Sequence, residues 1–240
     1  MQKTGILQDP ERWRILSGSW LKIIAVVTMF IDHVAAFFWY DNPLFLQPLF
    51  TIGRPVTLYL LARIIGRLAF PLFAFLLVQG FIHTHSRKRY SLNLLIFAVI
   101  SEIPWNLVRS GTWLHPKQNV FFTLLIGLLR LCAIDRFKED RMRLLASLAG
   151  LLLLSVLVNA DYGCAGYSFI LLLYAMRNNR ILQAVIGSCI LPGRWITGIA
   201  FIPINMYNGQ RGFIKGAFAK YLFYAFYPLH LIVIYYFLYF

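Results

Sequence analysis

The sequence predicts an all-α fold, a polytopic transmembrane bundle of about eight helices with its N-terminus in the cytoplasm. Three observations carry this reading. Of 240 residues, 60% are hydrophobic and 13% charged, whereas soluble domains run at about 45–50% and about 25%. The apolar residues fall into runs that approach the about 20 residues a helix needs to cross the hydrocarbon core. Basic residues gather between alternate runs, as they do when cytoplasmic loops hold the positive charge.

The spans read, in order, as 20–40, 58–82, 91–109, 119–135, 143–160, 164–177, 181–207 and 219–239. Met1–Ser19 is polar and precedes a long run, so Leu21–Tyr40 reads as a retained first span and not as a cleaved signal. Lys3, Arg12 and Arg14 precede it. Arg87, Lys88 and Arg89 follow the second span; Arg136, Lys138, Arg141 and Arg143 follow the fourth; Arg177 and Arg180 follow the sixth. The intervening connections hold Arg54, then Arg109 and Lys117, then no cation around Asp161. This alternation sets the N-terminus inside. Pro192-Gly193-Arg194 interrupts the seventh segment and leaves two pieces too short to span. A single kinked span would put the basic stretch 210–220 outside, whereas a re-entrant or two-piece hairpin keeps it inside, which its charges favour, giving seven spans plus a hairpin. No repeat, low-complexity tract or long linker divides the chain, so 1–240 reads as one integral membrane domain, with 1–19 a cytoplasmic segment and 20–240 the bundle.

The net charge of +14 would suggest nucleic acid in a soluble protein; here topology accounts for it, and the expected partner is the lipid bilayer. Cys132, Cys164 and Cys189 lie in or beside apolar runs with no ligand or redox spacing, and no metal site is expected.

Ionisable side chains inside the hydrocarbon are costly, so each is a functional candidate. Asp32 and His33 lie about 12 residues into an outward-running helix, beyond the midplane. Arg63 and Arg67 begin an inward-running one; Glu102 lies near or beyond the middle of the third span; Asn119 opens the fourth. Asp161 occupies an outer turn, and His230 lies near the middle of the last span. All converge on one depth in the outer half. Structural readings stand beside the functional ones: an i,i+4 arginine pair neutralising Asp32 and Glu102, Asn119 as a helix cap, His230 as a packing donor. Lys22 and His33 are three helical turns apart and face nearly the same way, about 16 Å along the axis. That stripe can hold an anionic group at Lys22 while its far end reaches His33; alternatively, Lys22 snorkels to the interface.

The segments Lys22-Ile23-Ile24-Ala25, Met29-Phe30-Ile31-Asp32-His33, Gly66-Arg67-Leu68-Ala69-Phe70-Pro71-Leu72-Phe73, Ser101-Glu102-Ile103-Pro104, Gln118-Asn119-Val120 and Tyr227-Pro228-Leu229-His230 resemble the TraX family. TraX proteins are associated with acetylation of a conjugative pilin at its N-terminus. The Lys-x10-His spacing is also similar to the signature of the wider transmembrane acyltransferases, including the type 3 acyltransferases and heparan glucosaminide acetyltransferase. The resemblance implies acetyl-CoA as co-substrate, no metal, and an acceptor hydroxyl or amine on a cell-surface sugar, lipid or pilin-like peptide. It implies His33, Asp32, Glu102 and Arg67 as the catalytic group, with Lys22, Arg63, Asn119, Arg87 and Lys88 on the cofactor side and His230 and Asp161 as further candidates. In that scheme His33 is the general base, Glu102 fixes its tautomer, Asp32 pairs with Arg67, and Arg67 or Asn119 faces the developing oxyanion. The expected location is the cytoplasmic (inner) membrane of a bacterium. Two other readings fit the same residues: an ion-coupled carrier with Asp32, His33, Glu102 and His230 as a proton relay, and a non-enzymatic assembly factor for a pilus or surface polymer.

Overall fold

The computed structural model describes residues 12–191 and 193–240. Its helices are α1 (Gly18–Val34), which widens into a π-helical stretch at Ala35–Trp39, α2 (Pro43–Leu46), α3 (Leu58–Gly66), α4 (Ala69–His83) and α5 (Arg87–Ser110). They continue as α6 (Val120–Arg136), α7 (Arg141–Val158), α8 (Gly163–Ala175), α9 (Arg180–Ile190), α10 (Arg194–Asn205) and α11 (Gly216–Tyr239). One antiparallel pair of strands, β1 (Pro48–Ile52) and β2 (Arg54–Thr57), joins α2 to α3. The fold is all-α and polytopic apart from this hairpin. Among the described residues, five helical segments are long and apolar enough to cross a bilayer: Gly18–Trp39, Leu58–His83, Arg87–Ser110, Arg141–Val158 and Gly216–Tyr239.

Local chemistry explains where the expected boundaries moved. The second segment is two helices, because Pro71 lacks an N–H and its ring crowds the carbonyl of Arg67, four residues earlier. The third helix begins at Arg87 and not at 91, because Ser86 caps it by accepting from the Arg89 backbone N–H at 3.3 Å. The seventh segment is the hairpin. Arg180 at the start of α9 donates to the carbonyls of Asn205 and Tyr207 at the end of α10, at 2.8 and 3.1 Å. Gly187 on α9 lies so close to the Phe201 ring that a Cβ there would stand 2.3 Å from it. Helices of 11 and 12 residues reach only about 16–18 Å, and the antiparallel pair returns the chain to the end it left.

Contacts fix which connections share an end. Leu16 donates to Met206 and Asn208 to Leu16 through the backbone, and Gly18 donates to Gln210. Arg87 pairs with Asp135 across the α4–α5 and α6–α7 connections, and the Phe81 ring meets that of Tyr174 at 5.5 Å. This end therefore gathers Arg14, Arg87, Arg141, Arg180 and Arg211. At the opposite end Asn159 donates to the Pro116 carbonyl at 2.9 Å, Trp105 to that of Lys117 at 2.8 Å, and Lys117 faces Asp161 at 3.3 Å. The packed centre lies between, where Leu72 of α4, Leu128 and Leu131 of α6, and Phe169 and Ile170 of α8 are fully buried.

Candidate functional site

Two long helices, α1 and α11, meet at the far half of the bundle and bring two histidines together. Nδ1 of His33 lies 2.6 Å from Nε2 of His230. The rings are within 6° of parallel with centroids 4.9 Å apart. Face-to-face stacking would hold all ring atoms more than about 3.3 Å apart, so the rings are nearly coplanar and meet edge to edge. The other nitrogen of His230, Nδ1, lies 2.8 Å from the Phe226 carbonyl one turn earlier. His230 is buried, whereas His33 is half-buried. Around His33 stand the rings of Phe37 at 6.0 Å, Tyr227 at 6.0 Å and Trp105 at 6.4 Å.

Asp32 belongs to a second pair. Its Oδ1 lies 2.8 Å from Nη1 of Arg63, and the same nitrogen donates to the Asp32 backbone carbonyl at 3.2 Å. At the widening of α1 the usual i→i+4 ladder is interrupted, and Arg63 supplies a donor to a carbonyl beside the change. Gly66 makes the approach of α3 feasible: a Cβ there would sit 2.2 Å from Asp32 Cβ and Oδ1. The expected pairing of Asp32 with Arg67 is thus corrected to Arg63. Arg67 caps α3 after the last helical turn and is exposed, within electrostatic range of Asp32 and Tyr162. Asp161, paired with Lys117, also lies within range of Asp32.

Glu102 and Asn119 form a third group, in which the capping reading of Asn119 holds while its oxyanion role and the tautomer role of Glu102 do not. The Asn119 amide donates to Glu102 Oε2 at 2.6 Å and to the Ala98 carbonyl at 2.8 Å, while its oxygen accepts from the Phe121 N–H at 3.0 Å. Asn119 caps α6 and braces it on α5, so its side chain has no N–H left for an oxyanion. Glu102 engages Asn119, and the ring nitrogen partner of His33 is His230 instead.

At the basic end Lys22 is half-buried, with Nζ 6.0 Å from the Phe223 ring centroid and Arg211 within electrostatic range. An apolar cleft of about 190 Å³ lies along α1 and α11, lined by Ile23, Val26, Val27, Leu222, Phe223 and Phe226. Phe226 separates it from His230, on whose ring it stacks at 5.1 Å. Arg87 is engaged by Asp135 and by the Phe81 ring, whereas Lys88 is exposed at the helix start.

Four residues were not singled out from the sequence. Arg109 lies with its guanidinium 5.0 Å from the Trp105 ring and within electrostatic range of His33. Tyr227 and Trp105 flank His33, and nothing in an aromatic-rich chain marks them. Arg130, half-buried on α6 and 5.7 Å from the Tyr167 ring, was visible as a charge inside an apolar helix. Among the described residues no three His, Cys, Asp or Glu side chains are placed to hold a metal.

Residues 17–238 match the TraX protein family. The chain is also similar to a probable fimbrial assembly protein FimC, serogroup H1, of Dichelobacter nodosus, with 29% identity over 241 residues, 88% of this chain and 91% of the relative. No solved structure matches it.

Proposed function

Because the chain belongs to the TraX family, we propose that it is a membrane acyltransferase that moves an acetyl group from cytosolic acetyl-CoA to an acceptor hydroxyl or amine at the outer side. The observation that carries this reading is the half-buried His33, three helical turns along α1 from Lys22, with its Nδ1 held by His230. The basic end is assigned to the cytoplasm, since it gathers the cationic connections. There Lys22 and Arg211 offer positive charge to the donor's phosphates. From Lys22 to His33 is about 16 Å along α1, a distance an extended thioester arm can follow along the apolar cleft. His33 then removes the acceptor's proton as the acceptor attacks the carbonyl, the lone pair on its free ring nitrogen serving as the base. Asp32 and Arg63 hold the end of α1 against α3, which sets the position of the ring.

The test is transfer or hydrolysis of radiolabelled acetyl-CoA by purified protein, wild type against His33→Ala. Label leaving CoA only when His33 is present supports the reading. Loss of pilus or polymer assembly on deletion of the gene, with no acetyl-CoA turnover by the wild-type protein, supports the second reading, a non-enzymatic assembly factor; the Dichelobacter nodosus relative is named as a fimbrial assembly protein.

A further inference from the structure

We infer that His230 is a positioning residue that fixes the tautomer of His33, so that the two rings form a one-way relay with its free lone pair on Nε2 of His33. The chemical consequence rests on the acyltransferase reading; the tautomer assignment does not.

The assignment begins at the Phe226 carbonyl. A carbonyl oxygen only accepts, so the His230 nitrogen 2.8 Å away, Nδ1, carries the hydrogen. A neutral imidazole carries one N–H, so Nε2 of His230 is an acceptor. The His33 nitrogen 2.6 Å from it, Nδ1, must then donate. That leaves Nε2 of His33 with the bare lone pair. The opposite assignment would set two lone pairs against each other at Nδ1 of His230 and the Phe226 oxygen. Edge-to-edge coplanarity supplies the in-plane geometry that a ring N–H requires. A histidine ligand held through its second nitrogen by a carbonyl follows the same logic in metal sites; here a second imidazole stands between the carbonyl and the working ring.

The two rings are unequal in consequence. His230 has both nitrogens engaged and is buried, while His33 keeps one nitrogen free and is half-buried. The charged and titratable groups facing His33 are His230 and Tyr227 from α11, Arg63 from α3 and Arg109 from α5, with Asp32 beside it on α1 held by Arg63. In the transfer step Nε2 of His33 takes the proton of the acceptor X–H as X bonds to the thioester carbonyl carbon. The C–S bond then breaks, and the leaving thiolate takes that proton back from Nε2. The sum is thioester plus X–H giving acyl-X plus thiol. Between the two proton transfers the positive ring donates from Nδ1 into His230, whose own N–H points at the carbonyl.

The experiment is carbethoxylation by diethyl pyrocarbonate, which acylates a free imidazole lone pair, followed by mass spectrometry of the purified protein in detergent across pH 5.5–8. His33 should react about tenfold faster than His230, because only His33 keeps a ring nitrogen without a hydrogen-bond partner. His230→Asn keeps an amide near the Nδ1 position but removes the acceptor for His33, and labelling of His33 should fall severalfold. His230→Gln places an amide oxygen near the Nε2 position and should restore much of what His230→Asn loses. In acetyl transfer His230→Asn should lower kcat with little change in KM. Equal labelling of both histidines, or equal His33 labelling in the Asn and Gln variants, overturns the relay. A wild type that shows the expected labelling but transfers no acetyl group upholds the relay and ends the acyltransferase reading alone. Variants enter the comparison after size-exclusion and melting profiles match wild type.

Discussion

The α4–α6–α8 centre and the α1–α11 seam are built from the same apolar alphabet but solve different problems. In the centre Leu72, Leu128, Phe169 and Ile170 are fully buried, and Tyr162 stacks on Phe70 at a centroid distance of 3.7 Å. In the seam a cleft walled by Val26, Val27 and Phe226 stays open between the helices. Farther along, His33 meets His230. Close packing forfeits no dispersion contacts and leaves no room for a ligand. An open seam gives up some of those contacts and exposes one polar pair at a controlled depth. The proposed chemistry belongs to the region that is packed less completely.

Substitutions that separate the two regions sharpen this contrast. His33→Ala carries the largest expected effect: acetyl transfer should fall by about 10²–10⁴-fold, the usual worth of a general base, while the melting temperature in detergent holds. Unfolding at wild-type temperature together with full activity would invert the assignment of the two regions. Phe169→Ala acts in the opposite sense. It should cost about 3 kcal/mol, the lower end of the range for Phe→Ala in soluble cores, because lipid and not water meets the unpacked surface. Thermal melting measures it, and activity at low temperature should persist.

Gly66→Ala couples the regions. Its Cβ would collide with the Asp32 side chain, so α3 must withdraw or Asp32 must leave Arg63, at about 1–3 kcal/mol. Transfer should slow even though no group that touches substrate is altered; unchanged kinetics would mean that the Asp32–Arg63 pair does not position His33. Arg87→Ala is the smallest. The Arg87–Asp135 pair lies at the exposed basic end, where such pairs contribute about 0–1 kcal/mol, and stability should barely move. A clear rise in KM for acetyl-CoA in that variant would bring Arg87 into the donor site beside Lys22.

Much of this was legible in the chain. The long apolar runs, the alternating basic connections and the interruption at Pro192-Gly193-Arg194 define the segments and their order, because helix formation in lipid depends on local composition and backbone satisfaction. Asp32, His33, Arg63, Glu102 and His230 stood out as charges at one depth, since the hydrocarbon penalises any polar group it holds. Which polar group meets which was a different matter. Arg63 and Arg67 lie four residues apart on the same short stretch, and only the close approach at Gly66 selects Arg63 for Asp32. Asn119 read equally well as cap or oxyanion donor until its amide was found shared between Glu102 and Ala98. His33 and His230 are 197 residues apart, and no local periodicity links them. The sequence by itself determined the segments and their order, because those follow from short-range composition in an apolar solvent. Tertiary structure alone decided the pairs, because a hydrogen bond depends on distances of a few tenths of an ångström set by how α1, α3 and α11 pack.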